Sequence, residues 1–363
     1  MKQLSKYLHI ILSAIILFAG RDVYAQKEKS WTEYPEKLVD YTQEGIERTG
    51  KIIEKYLDDK DTVYVTQNKY RFTLMTQYTN SYEYYRFTAQ SPYSSQSFTL
   101  APNNCDKLGV YVGWKWIFLG WSFNIGYNRA KNDWNFSFYT SKLGIDLFYR
   151  ERSEGFRIRS LNGFLDKTGN IIDKYNNNFE GISVSQKGLN LYYIFNNKNF
   201  SYPAAYSQTT NQRISCGSFI LGFNYSEQSF RLDPAYFDIH IQQAMSSRLN
   251  FRKIRYTEIG VTFGYSYNWV FAKDFLANIS LTPAIGYKDT KLKLENTGNF
   301  TNNINFDFIS RAALVYNNAR YFVGLSIVSH TYSYRKTELS IVNGFGTINV
   351  YTGINLFKDK KKD

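Results

Sequence analysis

The chain has 363 residues, a net charge of +13, 32 Tyr and 28 Phe. So many aromatic side chains exclude a disordered secreted segment. The basic residues form no recognisable nucleic-acid module, so we expect no nucleic-acid partner. Anionic lipid headgroups or glycan phosphates are the partners that the charge favours.

Residues 1–25 have the pattern of a secretory signal peptide. Lys2 and Lys6 precede an uncharged apolar run, and Ala25 ends a small-residue cleavage site. The run is too short for a spanning helix, which needs roughly 20 residues. Removing Lys2, Lys6, Arg21 and Asp22 with this segment lowers the net charge from +13 to about +11.

The next segment, residues 26–66, is predicted to be a short periplasmic helix. Apolar residues recur three and four apart between Leu38 and Leu57, and Pro35 suits a first helical turn. The helix would lie on a barrel rim, or act as a plug in or under the pore.

Residues 67–357 predict an all-β, transmembrane antiparallel β-barrel, because large apolar and polar side chains alternate along many segments. About twelve strands are expected, and fourteen is the alternative count. The predicted strands are Tyr70–Tyr78, Leu108–Trp116, Leu119–Asn128, Phe136–Tyr149, Gly155–Phe164, Lys187–Asn196, Arg213–Tyr225, Arg255–Trp269, Phe275–Tyr287, Ile304–Tyr316, Tyr321–Arg335 and Asn343–Phe357.

Short and long connections alternate between these strands, which is typical of outer-membrane barrels with short periplasmic turns and long outer loops. This pattern predicts the outer membrane of a Gram-negative bacterium, and an even strand count with short periplasmic turns places both termini in the periplasm. The connection at residues 197–212 is unexpectedly long, because it falls at the periplasmic end, where short turns are expected. Residues 358–363 form a charged tail.

Apolar side chains such as Val112 and Phe263 share the predicted lipid-facing register. A set of charged residues falls in the opposite register and is predicted to form a lumen network, either a paired network that fills the interior or a charged, selective channel. The set is Lys115, Asp146, Arg157, Arg159, Glu258, Asp307 and Arg311.

The sequence lacks the spacing of a metal site, a nucleophile elbow or a phosphate-binding loop, so we expect no catalytic residues, no metal and no cofactor. His330 with Ser326 falls in the inward register, which is wrong for a lipid-facing phospholipase site. Cys105 and Cys216 are predicted at opposite ends of the barrel, too far apart for a disulfide.

Several short runs resemble a family of outer-membrane proteins from Gram-negative bacteria that is known only as a domain of unknown function. They lie at Asp61–Val65, Gly113–Trp116, Leu191–Asn196 and Phe200–Tyr206, with Gln212 and the pair Gly217 and Ser218. The resemblance implies a barrel and its location, and it implies no activity and no site residues.

A non-enzymatic membrane scaffold or narrow channel is therefore the expected function, with lipids and periplasmic or cell-surface proteins as candidate partners. An outer-membrane lipid-modifying enzyme, phospholipase-like in kind, is one alternative. A soluble β-rich glycan-binding protein is another.

Overall fold

The computed structural model describes residues 60–90, 94–103, 105–114, 117–125, 132–152, 154–165, 178–293, 301–335 and 339–358. All of them lie in one compact unit, Lys55–Asp363. The predicted signal peptide, the predicted helix up to residue 59, Lys115 and most of the charged tail lie outside these residues.

Long antiparallel strands form the wall of a twelve-strand transmembrane β-barrel. The first six of these strands along the chain are β2 (Tyr70–Gln90), β4 (Cys105–Trp114), β5 (Ile117–Ile125), β6 (Asn132–Tyr139), β7 (Leu143–Arg152) and β9 (Ile182–Ile194). The others are β11 (Cys216–Leu232), β12 (Lys253–Ala272), β13 (Phe275–Lys293), β14 (Thr301–Asn317), β15 (Tyr321–Arg335) and β16 (Leu339–Lys358). Along the wall they follow the order β5-β4-β2-β16-β15-β14-β13-β12-β11-β9-β7-β6.

Four short strands of the described residues lie off this wall path. β3 (Ser95–Pro102) pairs with the far half of β2 and with β8 (Phe156–Asn162), while β1 (Val65–Gln67) pairs with β10 (Thr210–Gln212). Within the described ranges, two short helices, α1 (Pro203–Tyr206) and α2 (Ile239–Ala244), and a 3-10 turn, Pro234–Tyr236, lie in connections.

The two wall ends differ in their connections. Tyr70 at the start of β2 pairs with Lys358 at the end of β16. The first wall strand therefore starts, and the last one ends, at the same end of the barrel, here called the turn end. The tight turns at residues 140–142, 273–274 and 318–320 lie there too. The opposite end, the loop end, carries the longer connections that include β3, β8 and α2.

The outer face is apolar, as the alternation predicts. Val112, Phe263 and Ile279 are 49%, 54% and 56% exposed, while Thr262 beside Phe263 is buried. Aromatic residues such as Trp269 and Tyr321 are exposed near the turn end. An apolar band with an aromatic girdle is the lipid-facing surface of a barrel.

The wall has the predicted number of strands, but two of the segments predicted to form single wall strands do not do so. Phe136–Tyr149 is two strands, because Thr140 makes a turn in which its Oγ1 accepts from the backbone N–H groups of Lys142 and Leu143 at 3.2 and 2.9 Å. Gly155–Phe164 contributes β8, which pairs with β3 and lies off the wall path.

The strands are also longer than predicted at the loop end. The expected loop after Tyr78 is the continuation of β2 to Gln90, followed by β3. At the other boundary, the predicted helical segment 26–66 includes the first two residues of β1, Val65 and Thr66. Cys105 and Cys216 begin strands that start at opposite ends of the wall.

Candidate functional site

The connection between β9 and β11, residues 195–215, folds into the turn end of the lumen and is called here the plug turn. Pro203 begins α1, in keeping with the preference of proline for a first helical turn. The Ser201 and Thr210 hydroxyls lie 2.6 Å apart, and the Gln212 Oε1 accepts from the Ser201 N–H at 2.8 Å. The plug turn is therefore held in one compact shape by its own hydrogen bonds.

The plug turn packs against the inner face of the wall. Ala204 and Ala205 are buried in one apolar cluster with Leu276, Val315 and Phe322, which come from β13, β14 and β15. Small alanine side chains allow the helix backbone to approach the wall closely. The lumen is filled here by the plug turn.

Hydrogen bonds tie the plug turn to several wall strands. Tyr206 donates from its hydroxyl to Asn278 Oδ1 at 2.7 Å, and Gln208 donates from Nε2 to the Tyr351 hydroxyl at 2.9 Å. Burial raises the pKa of Tyr206 well above its ordinary value, so this hydroxyl stays a donor. Asn268 of β12 donates to the Ser201 carbonyl at 2.8 Å.

An ion pair crosses the lumen next to the plug turn. Arg311 of β14 lies 2.7 Å from Asp146 of β7. Its Nη1 donates to the hydroxyls of Tyr192 and Tyr202, each at 3.1 Å, and Tyr139 donates to Asp146 at 2.7 Å. Tyr202 belongs to the plug turn, so the wall charges also hold the plug.

A second charged cluster lies on β12, β13 and β14. Lys288 Nζ is 3.2 Å from Glu258 and 3.0 Å from Asp307, and all three side chains are almost completely buried. Asn224 donates to Glu258 Oε1 at 3.2 Å. Buried carboxylates need such partners, because desolvation is costly.

A third cluster joins β2 to β7. Arg150 and Arg152 lie 3.3 and 3.8 Å from Glu83, which also accepts from the Tyr85 hydroxyl at 3.0 Å. The Arg150 guanidinium lies over the Phe345 ring at 4.8 Å. The cluster links two distant parts of the chain across the lumen.

The loop end is closed by a large apolar cluster, here called the aromatic lid. Its ring contacts include Phe87 with Phe98 at 5.1 Å, Phe87 with Phe251 at 5.3 Å and Phe98 with Phe237 at 5.4 Å. The lid residues come from β2, β3, β8, β9, β11, β12, β15 and β16, with further residues from the connection after β8 and the connection that contains α2. The described interior is thus packed from the plug turn through three charge clusters to the lid.

The structure brings together four of the seven predicted lumen charges: Asp146 with Arg311, and Glu258 with Asp307 through Lys288. Arg157 and Arg159 lie on β8, so their predicted position in the wall was wrong. Arg159 is exposed and donates to Asn103 at 3.4 Å. Lys115 lies outside the described residues.

Sequence reasoning missed Lys288, Glu83, Arg150 and Arg152. Lys288 follows the predicted end of a strand by one residue, and Glu83 fell in a predicted loop. Both continue the inward alternation of their strands, Lys288 after Asn278 and Glu83 after Ser81. That alternation was the signal that could have found them.

His330 is buried among aromatic rings, and no serine hydroxyl of the described residues forms a hydrogen bond with it. Its ring stacks on Phe345 at 4.9 Å, and its Nδ1 has no hydrogen-bond partner. Ser326 instead accepts from Asn349 at 3.2 Å. Within the described ranges, no group of three or more His, Cys, Asp and Glu side chains could hold a metal ion.

A family model described as Domain of unknown function (DUF4421) matches residues 59–355. The chain belongs to this family. No functionally curated protein matches the sequence. Among the residues that the structure describes, no helix is long and apolar enough to cross a membrane.

Among solved structures, the chain is similar to the outer membrane protease OmpT of Escherichia coli, with 8% identity, a TM-score of 0.40 and coverage of 79% of this chain and 97% of that one. It is also similar to the outer membrane protein OprG of Pseudomonas aeruginosa, with 10% identity, a TM-score of 0.23 and coverage of 80% and 98%. Both TM-scores are below 0.5, so the barrel assignment rests on the strand pairing and the apolar outer face of this chain.

Proposed function

We propose that this DUF4421 protein is a closed outer-membrane β-barrel that acts as a non-enzymatic scaffold in the membrane. The observation that carries the proposal is the plug turn, which fills the turn end of the lumen and bonds to the wall. The charge clusters and the aromatic lid support it, because they leave the middle and the loop end packed as well. Of the two roles that the sequence allows, scaffold and narrow channel, the packing favours the scaffold.

The proposed setting is the outer membrane of a Gram-negative bacterium, with the turn end and both termini in the periplasm. Lipids cover the apolar band. Periplasmic or cell-surface proteins are the candidate partners for the connections at the two ends, since a closed barrel can act only through its rims.

The surroundings of His330 favour the scaffold over the phospholipase-like alternative. A phospholipase-like site would need a serine activated by a histidine and open to lipid. His330 faces the lumen, is 7% exposed and stacks on Phe345. The transmembrane barrel also leaves no role for the soluble glycan-binding alternative.

Thiol accessibility tests whether the plug turn closes the lumen. The reporter is Ala313→Cys in a chain that also carries Cys105→Ser and Cys216→Ser, because Ala313 is buried in the cluster that holds Ala204. We expect slow labelling of this cysteine in the folded barrel and fast labelling once residues 200–207 are replaced by a Gly-Ser linker. Asn318→Cys, in an exposed tight turn, is the control that labels in both chains.

Equal, fast labelling of the Ala313→Cys reporter with the plug turn intact would refute the closed lumen. Slow labelling in both chains would show that the plug turn is not what closes this end. The control shows that the reagent is active in both chains, so that either outcome reports the accessibility of residue 313.

A further inference from the structure

One small cavity lies in the lumen between the ion pair of Arg311 and the cluster of Glu258. It is lined by residues of β9, β11, β12, β13 and β14, with Tyr202 of the plug turn on one side. The volume of this cavity that the centre of a water molecule can occupy is about 20 Å³. A cavity needs about 10–15 Å³ by this measure to hold one water.

Three buried polar atoms of the lining residues have no hydrogen-bond partner. They are Asn190 Nδ2, Asn224 Oδ1 and Arg311 Nε, from residues that are 6%, 4% and 7% exposed. An unpaired buried polar group costs about 1–3 kcal/mol. All three atoms belong to residues that line the cavity, and a bound water would give them the partner that the protein does not supply.

The other bonds of these side chains fix which atoms remain for the cavity. Arg311 uses Nη1 for Tyr192 and Tyr202 and Nη2 for Asp146, so its Nε–H remains. Asn224 donates from Nδ2 to Glu258, so its Oδ1 remains as an acceptor. The site therefore offers two donors and one acceptor.

We propose that this cavity binds one water molecule that joins the Arg311 ion pair to the Glu258 cluster. The water accepts from the Arg311 Nε–H and the Asn190 amide and donates to Asn224 Oδ1, which uses three of its four hydrogen bonds. The charge of Arg311 is already balanced by Asp146 at 2.7 Å, so a neutral molecule suits the site better than an anion. The bound water completes a polar network that runs from the plug turn through Asn224 to Glu258.

Nuclear magnetic resonance on the ¹⁵N-arginine-labelled barrel in detergent tests the site, because the Arg311 Nε–H is a direct reporter. We expect a cross-peak between this proton and a long-lived water in the wild-type protein. The cross-peak should be lost in Asn224→Leu and kept in Asn349→Leu, whose lumen amide bonds to Ser326 away from the cavity.

A resolved Arg311 Nε–H signal without a water cross-peak would overturn the proposal, and this needs only the wild-type chain. Crystals grown in bromide provide the second arm. Anomalous density at the cavity would show a halide in place of water and would equally overturn it.

Discussion

Arg311 and Asp146 form a 2.7 Å ion pair between β14 and β7, two strands that lie five steps apart along the twelve-strand wall. Six steps would be diametrically opposite. Side chains therefore meet nearly across the full width of the barrel, and the Tyr202 hydroxyl of the plug turn joins them at 3.1 Å. This contact is the clearest sign that the lumen is occupied.

Breaking this ion pair on one side should cost more stability than removing both partners. Arg311→Met leaves Asp146 buried without its cation, and removing one partner of a buried pair costs about 3–5 kcal/mol. The double variant Arg311→Met with Asp146→Asn should lose less. Denaturant unfolding of the refolded barrel in detergent measures both.

The exposed pair of Lys187 and Glu227, 2.9 Å apart, is the control. Lys187→Met should change the free energy of unfolding by about 1 kcal/mol or less, because solvent screens such pairs. Equal losses in Arg311→Met and in the double variant would show that the lumen pair is hydrated and not packed.

Enlarging a side chain in the plug turn should destabilise the barrel. Ala205 is completely buried against the wall. Ala205→Leu should cost about 1–3 kcal/mol through overpacking. Ala235→Leu, in an exposed part of the connection before α2, should be neutral in the same unfolding assay. If Ala205→Leu is also neutral, the plug turn does not sit against the wall.

Arginine on the outer face should hinder assembly according to depth. Phe263 lies in the middle of β12 and is 54% exposed, so Phe263→Arg should cost about 2–4 kcal/mol in lipid. Ile304 lies near the loop end of β14, where the same change should cost about 0–1 kcal/mol. Folding yield into vesicles measures the difference. Equal yields would mean that the apolar band is not the lipid-facing surface.

Surface labelling tests the proposed orientation. Ala235→Cys at the loop end should react with an impermeant thiol reagent on intact cells, while Asn318→Cys at the turn end should react only after lysis. Each variant carries Cys105→Ser and Cys216→Ser. The reverse pattern would invert the barrel in the membrane.

The sequence predicts the barrel wall well, because period-two alternation records which face each residue takes. Phe263 and Thr262 are adjacent, and they lie outside and inside as the pattern requires. The turn at Thr140 escaped prediction because it contains neither glycine nor proline. A side-chain hydroxyl closes it instead.

The lumen contacts were harder to predict than the wall. Glu258 and Asp307 could be placed in the lumen from their register, but the Lys288 that joins them lies one residue beyond the predicted end of its strand. Pairings such as Arg150 with Glu83 depend on how the sheet curls. Register along one strand carries no information about contacts across the lumen.

Planar-bilayer recording of the purified, refolded full chain tests the closed lumen most directly. The packed interior predicts that the intact chain gives no conductance steps above the bare bilayer. Any steps that do occur should be small and weakly ion-selective, because the lumen charges are paired. The chain with residues 200–207 replaced by a Gly-Ser linker should conduct at least as much as the intact chain. A large, strongly anion-selective current from the intact protein would contradict the closed barrel and identify a dedicated channel.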